Sequence, residues 1–152
     1  MDFDEIVVDS FSTGHFLTLL KAPGALNEAV PFGPMGEQSK SIDSWIRNPE
    51  FTEVHLVCLP EELPVSESIE LYRELKSEFG IEAHFYLNKL SLLSVDDVAS
   101  LDTEARESME LMVQNENLSR IKIQNAGIKF KELPLVAKQD SEELITELVN
   151  FL

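Results

Sequence analysis

Two short stretches place residues capable of chemistry at the ends of apolar runs. In the first, Glu5-Ile6-Val7-Val8-Asp9 leads into Ser10, Ser12, Thr13, Gly14 and His15. A carboxylate at a strand tip followed by hydroxyls and a glycine suits phosphoryl transfer. There, Asp9 holds a magnesium ion directly or through its waters, and the cation offsets the phosphate charge. Gly14 gives backbone N–H groups room to approach a γ-phosphate, and Ser12 or Thr13 can orient a water or a ligand oxygen. Asp9 has a second reading, as the cap of a helix that begins near Thr13. In the other stretch, Phe85-Tyr86-Leu87 ends in Asn88-Lys89, which reads from its residues alone as a polar turn after a strand. A Ser-His-Asp hydrolase built from Asp9, Ser12 and His15 is disfavoured, because the three crowd one loop and Ser12 lacks the Gly-x-Ser-x-Gly setting. His15, His55 and His84 have no metal-ligand spacing. Cys58 is the only cysteine and lies in the apolar run from His55 to Leu59, the setting of a buried structural thiol.

Strands and helices in alternation must position these residues. Residues 5–9 read as a buried parallel strand and His15–Lys21 as a short helix stopped by Pro23-Gly24. Residues 24–52 read as a Pro/Gly-rich connection with a helix near Ser41–Arg47. Glu53–Leu59 is a second strand. Val65, Ile69, Tyr72, Leu75 and Phe79 then mark a helix closed by Gly80. Ala83–Leu87 is a third strand, and Val98, Leu101, Ala105, Met109 and Met112 line one face of a long acidic helix. Met109 and Met112 read as core rather than as a partner-facing patch. Lys129–Leu135, broken at Pro134, is the last strand, and Asp140 starts a helix carrying Leu144, Leu148 and Phe151. Four strands alternating with helices imply an α/β fold, a three-layer parallel sheet flanked by helices, in a single domain over 1–152. Ligands then bind beyond the carboxyl ends of the strands, at Asp9, Leu59, Asn88 and Leu135.

Composition narrows the partners. With 12 Lys+Arg against 28 Asp+Glu, the net charge of −16 repels a nucleic-acid backbone. A small anion can still be held locally by backbone N–H groups and a cation. The acidic N-terminus and the lack of an apolar run near the roughly 20 residues of a membrane span predict a cytoplasmic chain with no integral membrane segment.

The residues Phe3-Asp4-Glu5-Ile6-Val7-Val8-Asp9-Ser10-Phe11-Ser12-Thr13-Gly14-His15-Phe16-Leu17-Thr18-Leu19-Leu20-Lys21-Ala22-Pro23 resemble a segment of the arsenite-pump and tail-anchored-protein-targeting ATPases, Asp-Thr-Ala-Pro-Thr-Gly-His-Thr-Leu-Arg-Leu-Leu. The resemblance implies a partial P-loop NTPase-like domain. It assigns Asp9 to the metal site, and Thr13, Gly14 and His15 to the second switch, which senses the γ-phosphate. Ser12 stands where the family has proline, and Thr18 where arginine is common. The likeness continues through His55-Leu56-Val57-Cys58-Leu59-Pro60-Glu61-Glu62 and Phe85-Tyr86-Leu87-Asn88-Lys89-Leu90. It makes Asn88 the adenine contact, since an amide can hydrogen-bond both edges of the base. Lys89 then supports that loop, and Glu132-Leu133-Pro134-Leu135 resembles the loop that closes over the base.

No Gly-Lys-Gly-Gly-x-Gly-Lys-[Ser/Thr] segment occurs, so the phosphate cradle, its lysine and the magnesium-binding hydroxyl are missing from the sequence. The family's zinc-binding cysteine pair and large client-sheltering insert are missing too. The expectation is therefore the C-terminal half of an anion-transporting ATPase, which binds ATP and Mg2+ and hydrolyses ATP only with an N-terminal P-loop half. Two such domains would pair as a homo- or heterodimer. The alternative is a non-catalytic module that pairs with an active paralogous ATPase subunit through its acidic surface. A receiver-like phosphoacceptor with Asp9 as acceptor is a third reading, and the order of motifs does not supply its acidic pair or its lysine.

Overall fold

In the computed structural model, residues 4–10, 13–91, 93, 98, 103–136, 138 and 140–151 are described. Phe11, Ser12 and Leu101 of the sequence reading lie outside them. The chain divides into two compact units, Met1–Thr52 and Glu53–Leu152.

The first unit is helical. α1 spans Thr13–Ala29 and α2 spans Pro34–Ile46. Expecting a stop at Pro23 was wrong, because α1 continues through it. A proline inside a helix removes one backbone donor and crowds the preceding turn. Contacts with α2 tie down this part of α1: the Ser39 hydroxyl donates to the Pro23 carbonyl at 2.6 Å, and Gly24 leaves room beside the Asp43 carboxylate. The region read as a connection is largely helical: α1 runs on to Ala29, and α2 starts well before Ser41. Gly33, at φ 85°, turns the chain into Pro34, whose fixed φ suits a first helical position. A Cβ on Gly36 would collide with the Val30 carbonyl oxygen, so that position admits only glycine.

Residues 5–9 correct the sequence reading more sharply. They form no strand, and Ile6, Val7 and Val8 are 78%, 92% and 71% exposed. A β-branched run satisfies its backbone as a strand only where a neighbour supplies the ladder. Among the described residues, the sheet consists of three strands from the second unit.

That unit is α/β, with a small parallel sheet flanked by helices. β1 is His55–Cys58, β2 is His84–Leu90 and β3 is Phe130–Pro134, in spatial order β1-β2-β3 with both pairs parallel. The connections are α3, Glu62–Glu74, and α4, Thr103–Asn125; α5, Ser141–Val149, follows β3. α3 passes into a π-helical turn over Leu75–Phe79, which Gly80 closes at φ 72°. This is the helix end read from the apolar spacing.

Register places Leu56 beside Phe85, Cys58 beside Leu87, and Leu87 beside Glu132. Side chains alternate across a strand, so these residues share one face. α3 and α4 lie on that face. Ser68 of α3 hydrogen-bonds the Cys58 thiol, and Arg120 of α4 pairs with Glu132. Lys122 of α4 donates to the Ser66 hydroxyl of α3 at 2.6 Å. Val65, Leu75, Leu87, Leu90 and Ile123 are buried in this core. Met109 and Met112 are half-buried, while Val113, Glu116, Ser119 and Ile123 form the buried line of α4. Asp140 caps α5 as expected, its Oδ1 accepting from Glu142 N–H at 2.8 Å and Glu143 N–H at 3.2 Å.

Candidate functional site

The site residues read from the sequence fall into two groups, one on each unit. In the first unit, Asp9 is exposed in the irregular stretch before α1. Thr13, Gly14 and His15 form the first turn of α1, where backbone N–H groups point out of the helix and favour an anion. Gly14 has no positive φ, and apart from its chain neighbours and the backbone of its own helix nothing lies within 4 Å of where its Cβ would be. The Thr18 hydroxyl turns back to donate to the Gly14 carbonyl at 2.9 Å.

In the second unit the sheet itself builds the other group. Asn88 and Lys89 do not follow β2 as a turn; they lie within it, and the strand runs on to Leu90. The register between β2 and β3 shifts between Leu87 and Leu90, so Asn88 and Lys89 form a bulge. Lys89 has φ 60°, the only positive φ outside glycine among the described residues. A side chain in the left-handed region costs roughly 1–2 kcal/mol, so surrounding contacts must hold it there. One is local: the Lys89 N–H donates to Asn88 Oδ1 at 2.9 Å. That oxygen keeps a second lone pair and the Asn88 Nδ2 two donor hydrogens.

Beyond the bulge, Leu90 pairs with Pro134 and accepts from the Leu135 N–H at 2.7 Å. Asn88, Lys89, Pro134 and Leu135 are thereby brought to one carboxyl end of two neighbouring parallel strands, where open α/β sheets place ligands. Asn88 is half-buried, Lys89 exposed and Pro134 buried, while Leu135 presents an apolar side chain that is 54% exposed.

Charged residues that the sequence did not single out adjoin this end. Glu116, only 1% exposed, accepts from the Ser91 N–H at 2.7 Å. Arg120, one turn on, grips Glu132 with two bonds, Nε to Oε1 at 2.8 Å and Nη2 to Oε2 at 3.0 Å. Its Nη1 donates to Asn117 Oδ1 at 3.1 Å and lies 3.8 Å from Glu116. The Glu132 pairing raises the Arg120 pKa, with burial opposing and the nearby carboxylates adding to it. Glu116 sits in the helix that the sequence marks as long and acidic, and it was not picked out there. Its place on the buried line with Val113 and Ile123 was the available signal.

Two of the histidines meet across the sheet. His55 and His84, scattered along the chain, are register partners whose rings stack at 5.0 Å, and Tyr86 stacks on His55. The Nε2 atoms lie 3.5 and 3.9 Å from Glu53 Oε2. Among the described residues, however, no group of three or more His, Cys, Asp or Glu is arranged to hold a metal ion. Cys58 is a buried free thiol. Burial pushes its pKa up to about 11 despite the Ser68 hydrogen bond, which makes it a poor nucleophile.

No described helix is long and apolar enough to cross a membrane. No family model matches the chain. Among curated proteins, it is 34% identical over 122 residues to the arsenical pump-driving ATPase of Escherichia coli, covering 76% of this chain and 20% of that protein. It is 33% identical over 141 residues to the arsenical pump-driving ATPase of Acidiphilium multivorum, covering 84% of this chain and 24% of that protein. It is 36% identical over 73 residues to the ATPase BagA of Mycobacterium tuberculosis, covering 48% and 21%. The chain thus spans about a fifth to a quarter of these relatives, and what it shares with them is an ATPase-related stretch.

Proposed function

We propose that residues 1–152 form the nucleotide-sensing and base-binding half of an arsenite-pump or targeting-type ATPase domain, completed by an N-terminal half that carries the phosphate loop. The observation that carries this reading is the meeting of the Asn88–Lys89 bulge with Pro134-Leu135 at the carboxyl end of β2 and β3. Asn88 reads the adenine edge through its amide, Lys89 supports the bulge, and Pro134 and Leu135 lie against the base with apolar surface. Asp9 supports the magnesium ion of the nucleotide, and Thr13, Gly14 and His15 follow the γ-phosphate from the first turn of α1. The charge of ATP and Mg2+ needs the cradle of the missing half, so the chain alone does not hydrolyse ATP. The assembled protein works in the cytoplasm as a homo- or heterodimer of such domains.

A second reading, a non-catalytic module paired with an active paralogue, draws on Thr18. Where the family commonly has an arginine, this chain has a hydroxyl already committed to the Gly14 carbonyl. One experiment separates the two. The chain is mixed with the separately expressed phosphate-loop half of an arsenical pump-driving ATPase, and Mg-ATP hydrolysis is followed. The first reading expects hydrolysis by the mixture, none by the chain alone, and a loss of about a hundredfold or more with Asp9→Asn, the scale of losing a key electrostatic contact. Hydrolysis by the mixture that is indifferent to Asp9→Asn supports the module, and hydrolysis by the chain alone sinks the first reading.

A further inference from the structure

The bulge that carries Asn88 is bracketed by one charged network on α4. Glu132, immediately beside Leu87 in register, marks the last regular pair before the bulge, and Arg120 holds it with two hydrogen bonds. Ser91 is the first residue after β2, and its N–H is held by Glu116. Glu116 and Arg120 are one helical turn apart, on adjacent rungs of the same face. The network therefore holds β3 at the last regular pair before the bulge and the chain just after β2, on either side of a backbone stretch that would otherwise relax toward regular pairing.

Burial gives the clamp its strength. A carboxylate that is 1% exposed is out of bulk water, where a hydrogen bond to charge is stronger and a lost partner costs more. A surface carboxylate would give way to water at the Ser91 N–H. Lys89 at φ 60° is the strained point this bracket holds in place.

We propose that Glu116, acting with Arg120 and Glu132, is the positioning residue of the base site: it fixes the Asn88–Lys89 bulge in the conformation that presents the Asn88 amide to an adenine ring. The assignment of the ligand rests on the nucleotide reading above; the clamp itself does not.

The test follows amide hydrogen exchange by NMR in the full 152-residue chain and, in parallel, titrates adenosine, with cytidine as control, against the Asn88 side-chain amide signals. Adenosine carries no phosphate and so does not need the missing half. Glu116→Ala is expected to speed exchange at Ser91 by on the order of tenfold or more, the scale of one buried hydrogen bond to a charged group. Exchange in β1 should stay unchanged, and the adenosine response should weaken. Glu116→Gln keeps an acceptor oxygen and is expected to restore both. Unchanged Ser91 exchange in Glu116→Ala overturns the clamp. A Glu116→Gln protein as impaired as Glu116→Ala, with exchange faster throughout β1 to β3, also overturns it, because Glu116 would then serve only general stability. Where Glu116→Ala does not fold, Arg120→Gln is measured in its place: faster exchange at the bulge supports the clamp, and no change overturns it. A wild-type chain that does not respond to adenosine overturns the base-recognition part and the nucleotide reading, while Ser91 exchange still decides the clamp.

Discussion

The stretches Ile6-Val7-Val8-Asp9 and Phe85-Tyr86-Leu87-Asn88 have the same make-up, three large apolar residues and then a polar one that could meet a ligand. In the structure they differ completely. Leu87 is fully buried in a central strand paired on both sides, whereas Val7 is almost fully exposed and pairs with no strand. Apolar character alone does not make a strand. β2 is a strand because β1 and β3 supply its ladder and α3 and α4 cover one of its faces, whereas residues 5–9 have no strand assignment and expose their apolar side chains.

The largest effect expected from this contrast is on stability. Leu87→Ala removes a fully buried side chain and should cost about 3 kcal/mol of unfolding free energy in a urea titration. Val7→Ala should leave the same titration within about 0.5 kcal/mol of wild type. A large loss at Val7 would mean that residues 5–9 are packed after all, and the contrast would dissolve.

Next is the pH response of the buried end of β1. Burial raises the Cys58 pKa from 9.0 to about 11, so between these values the unfolded chain has released the thiol proton and the folded chain retains it. The stability this contributes is complete below pH 9 and is lost as pH rises through about 11. The urea midpoint of wild type should therefore fall more steeply across that window than that of Cys58→Ala. Parallel curves would show that the thiol is not held protonated by the fold.

The smallest effect sharpens the view of Asn88. Lys89→Gly relieves a left-handed side chain and should stabilise the fold by up to about 1 kcal/mol, less what the flexible unfolded chain gains from glycine. Destabilisation instead would mean that the Lys89 side chain, not only its backbone, supports the bulge.

Much of the second unit was legible in the sequence. Helical spacing from Val65 to Phe79 ended where Gly80 takes a positive φ, and Asp140 capped the helix its position announced. Cys58 was read as a buried thiol and is one. Pro23 misled because local propensity ignores what packs alongside: a single hydroxyl from α2 meets the proline carbonyl. The end of β3 was recognised as a strand tip, while that of β2 was placed too early, since the strand runs on to Leu90. The bulge was not recognised, because it depends on Glu116, 25 positions after Ser91, and on a salt bridge spanning 12 positions between Arg120 and Glu132. Periodicity reports which face a residue is on, not which distant residue it meets.

The exposed Ile6-Val7-Val8 run also bears on how the chain behaves in a crowd. Short, β-prone, uncharged segments in solvent are templates for intermolecular cross-β stacking. Here Asp4 and Glu5 stand on one side and Asp9 on the other. Stacking copies in register would pile like charges every few ångströms, as gatekeeper residues do beside unavoidable apolar strands. Whatever Asp9 does for a ligand, the charge of these carboxylates opposes stacking of the run on its own copies, and neutralising them is expected to show first as turbidity.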